Sequence, residues 1–535
     1  MPYAPETNEE RIQEIESGAN GAVARAVALH LEGRREEALQ ALDEAMAEGE
    51  ETPDLLAARG HLTFEMGRYE DAEECYRKLR EIAPEHTSAR LYHAMSLQNL
   101  GRWEEAAGGY REVLASGGER AEVRTGLGSC LLHLGKAEEA LELYEQVLAA
   151  EPENETAAFG KAVALQKLGR FDEARAIYEQ ILERNPEAMG SLRNIVALGV
   201  EMGDDDLIDR YATRLLEADP KARAALAALA GRAFRSEDYE QAATYCRRLA
   251  EAEPEDFEAR YNLGVALQRL ERWEEAAEAY RAAVELKPDA ALAYQNLGVA
   301  LAEAGDREGA KEAFRKALEL DSTLVDSARQ LAWLLEQDGE KDQAATIYRS
   351  LLEAGLDNDF AGFRLGVLLI DQGDYAGAVA TLRACCEGDN PRREARWYLA
   401  RALWLNGDKE EAVRIYDELL ADEPDSVDTL RALAAISLET GETDRALELH
   451  ERLLELGDKT PEVCYNAGLL YQQAGKEEEA IRRYEEAVKL KPDFAEALLN
   501  LGHALRRAGR NEEAVRTWQK ALELKPELAS GYFTG

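Results

Sequence analysis

The sequence predicts an all-α solenoid of antiparallel helix pairs, and three observations carry that prediction. A unit of 34 residues recurs fifteen times from Ala19 to Leu528 with no insertion or deletion. Small residues and one aromatic ring return at fixed places in the unit, and proline stays out of every helix interior. A unit of this length holds one helix hairpin, which cannot bury its apolar face alone and must stack on its neighbours.

The repeats begin at residues 19, 53, 87, 121, 155, 189, 223, 257, 291, 325, 359, 393, 427, 461 and 495, and are numbered 1 to 15 with positions counted inside each. Before them, residues 1–18 form a leader in which Thr7-Asn8-Glu9-Glu10 fits a capping box, opening a short helix with Ile12 and Ile15 on one side that covers the first repeat. The first helix of each repeat carries Gly or Ala at position 8 in fourteen of fifteen cases, among them Gly60, Gly128, Gly264 and Gly502, so a neighbour can approach closely. A glycine at position 15 in thirteen repeats, as at Gly67, Gly101 and Gly135, then ends that helix by adopting positive φ.

In the second helix, position 20 is Ala in fourteen repeats and position 24 is Tyr, Phe or Trp in ten, as at Tyr76, Phe314 and Trp518. A large ring against small residues is knob and hole packing. Apolar spacing is helical throughout: Leu297, Ala300 and Leu301 follow at i, i+3, i+4, and Ala310, Phe314 and Ala317 at i, i+4, i+7. Nine repeats close with Pro at position 32, including Pro84, Pro152, Pro254, Pro424 and Pro526. Residues 529–535 read as a tail or the start of an incomplete sixteenth unit, and Tyr532 and Phe533 are the expected contacts if that end assembles with another molecule.

With this pattern of small residues, ring and proline at a 34-residue period, the chain resembles the tetratricopeptide repeat (TPR) family over residues 19–528. The resemblance implies a right-handed superhelix whose first helices line a concave groove. It also implies that groove-facing side chains come from positions 2, 5, 6, 9, 12 and 13 of the first helix. Asn recurs at position 6 as Asn194, Asn262, Asn296, Asn466 and Asn500. In related arrays such amides can hold the backbone of an extended peptide; as the common residue of the pattern they need no such role. The clamp that some members use for a C-terminal carboxylate needs Lys at position 5 and Asn at position 9 of one unit, and no unit here has that pair.

Composition narrows the function classes. The chain holds 106 Asp and Glu against 64 Lys and Arg, a formal net charge of −42. That field argues against nucleic acid and anionic lipid, which need clustered cations, and favours partners with basic or apolar extended segments. The six cysteines (Cys75, Cys130, Cys246, Cys385, Cys386, Cys464) form no C-x-x-C and sit at differing positions of the repeat, as expected for small residues in a reducing compartment. No stretch is long and apolar enough to insert in a membrane and the leader has no signal-peptide form, so the default location is cytoplasmic.

No catalytic residue, cofactor site or metal site is expected. Gly135-Lys136 and Gly475-Lys476 are turn residues without a phosphate-binding loop around them, and His30, His61 and His133 read as groove or packing histidines. Asp204-Asp205-Asp206 opens a second helix, where carboxylates complement the helix N-terminus, in the repeat that puts Val196 and Ile208 at its small-residue positions.

The sharper signal is aromatic. Trp103, Trp273 and Trp518 occupy positions 17, 17 and 24, where the repeat uses a ring, but Trp333, Trp397 and Trp404 fall at groove positions 9, 5 and 12. Around them the same reading places Phe360, Phe363, Arg364, Ile370, Tyr398 and Arg401 in or at the rim of the groove. Trp, Tyr and Arg dominate binding hot spots, so repeats 10 to 12 are expected to hold a partner; the other reading is that these rings pack against one another. The proline rule breaks at both borders of this patch, at Leu356 and Asn390. The function expected is a non-enzymatic protein-interaction scaffold. Two further readings stay open: a structural protein that assembles through its C-terminal end, and the N-terminal interaction module of a larger enzyme such as a transferase.

Overall fold

The structure, a computed structural model, describes residues 19–49, 51–118, 120–387 and 392–529. The expected leader helix, Tyr532 and Phe533, and the joint at residues 388–390 lie outside the described residues. Helices occupy nearly all the rest, and no strand occurs among the described residues. The chain divides into two compact blocks, residues 1–272 and 273–535.

In both blocks the helices are short and uniform. Each has 13 or 14 residues, as in Pro53–Glu65 followed by Tyr69–Ile82 or Ala495–Arg507 followed by Asn511–Leu524, apart from Tyr375–Cys385 with 11. Their starts fall at positions 1 and 17 of the repeat; the helix Phe360–Gln372 begins one residue late. Caps explain several starts. Thr52 and Thr460 accept the N–H of Leu55 and Val463 at 3.3 Å ahead of a proline at the first helical position, and Asp204 accepts the N–H of Leu207 at 2.9 Å. The aspartate run 204–206 is thus a helix start, with Asp204 and Asp205 further paired to Arg175 and Arg235.

The turn inside the hairpin demands a left-handed residue. All thirteen position-15 glycines have positive φ, from 67° at Gly203 to 101° at Gly407. The two repeats without glycine there obey the same geometry, since Glu237 and Glu271 are both held at φ 57°. Backbone shape at this point is imposed by the hairpin, and the residue type follows or is strained.

Hairpin packing is the knob and hole predicted. Tyr110, Tyr178, Tyr348, Tyr416 and Tyr484 are among the largest fully buried side chains. Each ring buries apolar area worth roughly 1.5–3 kcal/mol, and it needs the small residue opposite. A Cβ on Gly128 would lie 2.7 Å from Tyr144, and one on Gly468 2.7 Å from Tyr484. Within each block several successive first helices also touch one another, for example Ala121–His133 with Glu155–Lys167 and Phe360–Gln372 with Arg393–Asn406. Those contacts bring the paired first helices onto a shared face.

Candidate partner-binding face

The first-helix face is built by a repeated polar contact. In repeats 3, 5, 10 and 14 the position-24 tyrosine crosses its own hairpin and donates its hydroxyl to position 12: Tyr110 to Gln98, Tyr178 to Gln166 at 3.1 Å, Tyr348 to Glu336 at 2.8 Å and Tyr484 to Gln472 at 2.8 Å. A buried phenol needs an acceptor, and the amide or carboxylate twelve residues earlier supplies it. One position-6 asparagine, Asn194, joins this network, and Asn500 bonds instead to a tyrosine at position 5. Asn194 donates to the Tyr178 hydroxyl at 3.2 Å and Asn500 to the Tyr465 hydroxyl at 2.9 Å, so these two amides spend a donor inside the chain. Asn262 is exposed and Asn466 half-buried; Asn296 also has an interaction within the chain.

Around repeats 10 to 12 the structure divides the expected patch into three kinds of residue. Trp333 is 48% exposed and faces solvent. Phe363, Tyr398, Trp397 and Tyr416 form a chain of edge-to-face rings, with centroids 5.6, 5.2 and 5.9 Å apart in that order, which is the packing alternative realised in part. Phe360 meets Tyr348 edge-on and lies beneath the guanidinium groups of Arg329 and Arg392 at 5.1 and 6.0 Å. Two side chains are committed elsewhere in the chain. Arg364 pairs with the Glu336 carboxylate, which is 8% exposed; burial opposes the arginine's charge, and the Glu336 hydrogen bonds outweigh it and raise its pKa. Trp404 donates its indole N–H to Glu439 at 3.0 Å, and that bond together with Lys409 holds the carboxylate below its usual range.

Sequence reasoning missed a second feature. A recess of about 960 Å³ opens on the first helices of repeats 3, 4 and 5, reached by Gln98, Thr125, His133, Tyr144 and Phe159. Its signal was glycine at position 6 in two successive repeats. Gly126 and Gly160 leave room for the rings of Tyr110 and Tyr144, against which any Cβ would collide. Of the three histidines, His133 stacks on Trp103 at 3.9 Å while His30 and His61 both approach Glu65 at 3.3 Å. All six cysteines are free thiols, four of them buried. No described helix is long and apolar enough to cross a membrane.

Models of the tetratricopeptide repeat match residues 29–98, 131–197 and 369–436, and again 93–155, 228–291, 261–325, 295–359 and 329–391. Further repeat models of the same family match 429–462, 468–509 and 495–528. The chain belongs to the tetratricopeptide repeat family. TPR arrays serve generally as protein-interaction scaffolds, and nothing in the matched models is catalytic. By structure, this TPR chain is similar to a chain of the APC/C hetero-tetramer Cut9-Hcn1, at 15% identity over 86% of this chain and 98% of that one, with a TM-score of 0.32. It is also similar to two MamA crystal structures, at 24% and 25% identity over 32% and 30% of this chain and 94% of each of theirs, with TM-scores of 0.30 and 0.28. No curated protein matches the chain in sequence.

Proposed function

We propose that this TPR chain is a non-enzymatic scaffold that holds an extended protein segment against the first helices of repeats 10 to 12. The observation that carries the reading is Trp333, a groove-position tryptophan left 48% exposed, in the same run of three repeats as the ring series from Phe363 to Trp397. An exposed indole on a groove position offers an anchor with little side-chain entropy to lose. The net charge of −42 steers basic segments toward the chain. Phe360, Phe363, Trp397, Tyr398, Arg401 and the half-buried ring of Trp404 would complete the contact surface, while Arg364 supports it through Glu336.

A random peptide library displayed on phage and selected against the full chain tests this reading. Trp333→Ser and Trp404→Ala are the informative variants, because neither ring is fully buried. Selected peptides should lose binding to the double variant while its helical circular dichroism stays unchanged. Peptides that bind both proteins equally would refute a site in repeats 10 to 12.

A further inference from the structure

Repeat 12, like repeats 2 and 4 with Phe64 and Leu132, has no hydrogen-bond acceptor at position 12, and its tyrosine is the one of the three whose hydroxyl is buried without a partner among the described residues. Its position 12 is Trp404, which turns its N–H outward to Glu439, and position 6 of the next repeat is Ala432. Tyr416 is fully buried and its hydroxyl has no hydrogen-bond partner among the described residues. The indole N–H of Trp397, whose ring meets Tyr416 at 5.9 Å, is also buried without a partner. Two orphaned donors in contact are an exception that needs a cause, because native structures rarely leave such groups unmet.

A third donor stands beside them. The exposed Arg401 places its guanidinium 5.9 Å from the centre of the Trp397 ring and forms no ion pair among the described residues, in a chain where acids outnumber bases by 106 to 64. Its charge reaches the Tyr416 phenol, although burial has the larger effect and pushes that pKa up.

Repeat 10 shows what such a set of donors takes. There the Glu336 carboxylate accepts the Tyr348 hydroxyl and the Arg364 guanidinium together. Repeat 12 has the equivalent tyrosine and an arginine, adds an indole N–H, and has Trp404 where repeat 10 has the Glu336 carboxylate. We propose that the groove of repeat 12 binds a carboxylate brought by the partner segment, held by Arg401, the Trp397 N–H and the Tyr416 hydroxyl.

The rim qualifies the partner further. A pocket of about 270 Å³ beside Trp397 and Tyr398 is lined by Arg393, whose charge is taken by Glu423, and by Glu394 and Asp428, both exposed and without an ion pair among the described residues. A run of acids would be repelled there. The segment that fits carries one carboxylate, from an acidic side chain or a free C-terminus, next to a basic residue. This inference rests on the groove reading above and specifies its occupant.

Three acetylated pentapeptides containing one lysine test it: one with an aspartate and an amidated end, one with asparagine and a free C-terminus, and one with asparagine and an amidated end. The readout is the indole N–H resonance of Trp397 in the full chain, assigned through Trp397→Phe. At least one carboxylate peptide should shift that resonance saturably, the blocked peptide should not, and Arg401→Gln and Tyr416→Phe should each weaken binding ~tenfold. Which of the two carboxylate peptides acts identifies the source. Because Tyr416→Phe removes an orphaned group, it should leave the thermal midpoint unchanged or raised, which separates lost binding from lost folding. Equal shifts with the blocked peptide, or none with any peptide as when water alone fills the site, would overturn the proposal. Phage peptides that depend on Trp333 and Trp404 yet ignore Arg401→Gln would do so too, and would leave the groove reading standing.

Discussion

Tyr348 donates its hydroxyl to the Glu336 carboxylate at 2.8 Å, and the same carboxylate receives Arg364 from the next repeat. One acid thus ties the two helices of a hairpin to each other and to the following hairpin. The pair is buried on the Glu336 side, at 8% exposure, so its geometry rather than solvent sets its strength.

Replacing that acid exposes the dependence. Glu336→Ala strands the Tyr348 hydroxyl and the Arg364 charge, and should destabilise repeats 10 and 11 by about 2 kcal/mol. Amide exchange across Val325–Gln337 reads the loss locally, where a global transition would average it. Tyr348→Phe should lower stability by about 1 kcal/mol, in contrast to the same change at Tyr416.

The strained turns offer a gain. Glu237 and Glu271 are exposed and sit at φ 57°, a conformation that costs a side-chain-bearing residue about 1–2 kcal/mol. Glu237→Gly and Glu271→Gly should each stabilise the chain by about 0.5–1 kcal/mol after the added unfolded-state entropy of glycine. Urea unfolding followed by circular dichroism measures it, and Gly67→Ala should move the midpoint the other way.

Steric fit at the knob can be tested by coupling. Gly468→Ala places a methyl 2.7 Å from the Tyr484 ring and should destabilise by about 1–3 kcal/mol. Tyr484→Ala alone leaves a cavity. In the double variant the new methyl occupies part of that cavity, so the combined loss in a double-mutant cycle should be smaller than the sum of the two.

Two buried histidines make stability depend on pH. Burial first, and the Arg80 charge second, hold His93 below its ordinary value near 6.5; burial does the same to His450. Arg80 donates to the His93 Nδ1 at 2.9 Å, which leaves Nε2–H to donate to Glu73 at 3.2 Å, and the His450 Nδ1–H donates to the Ala446 carbonyl at 2.7 Å. A depressed folded-state pKa means the unfolded chain binds the proton first. The contribution is therefore complete above 6.5 and is lost as pH falls from 6.5 through the folded-state values. Thermal midpoints measured from pH 7.5 down to about 5 should fall less steeply in the His93→Gln, His450→Gln variant than in the parent chain.

The helical hairpin was legible in the sequence because its causes are local and steric. A ring at position 24 needs a small residue at position 8, as Tyr144 needs Gly128, and a left-handed turn at position 15 selects glycine, so both constraints print themselves at a fixed period. The periodicity also located Trp333, Trp397 and Trp404 on groove positions without saying what each side chain does there. That was decided by contacts between residues far apart in the chain. Glu336 captured Arg364 from 28 residues away and Glu439 took the N–H of Trp404 from 35, while Tyr416 and Trp397 met each other and no acceptor among the described residues. Hydrogen bonds between long side chains on successive repeats depend on rotamers and on the spacing of stacked helices, and a one-dimensional pattern of small and large residues carries neither.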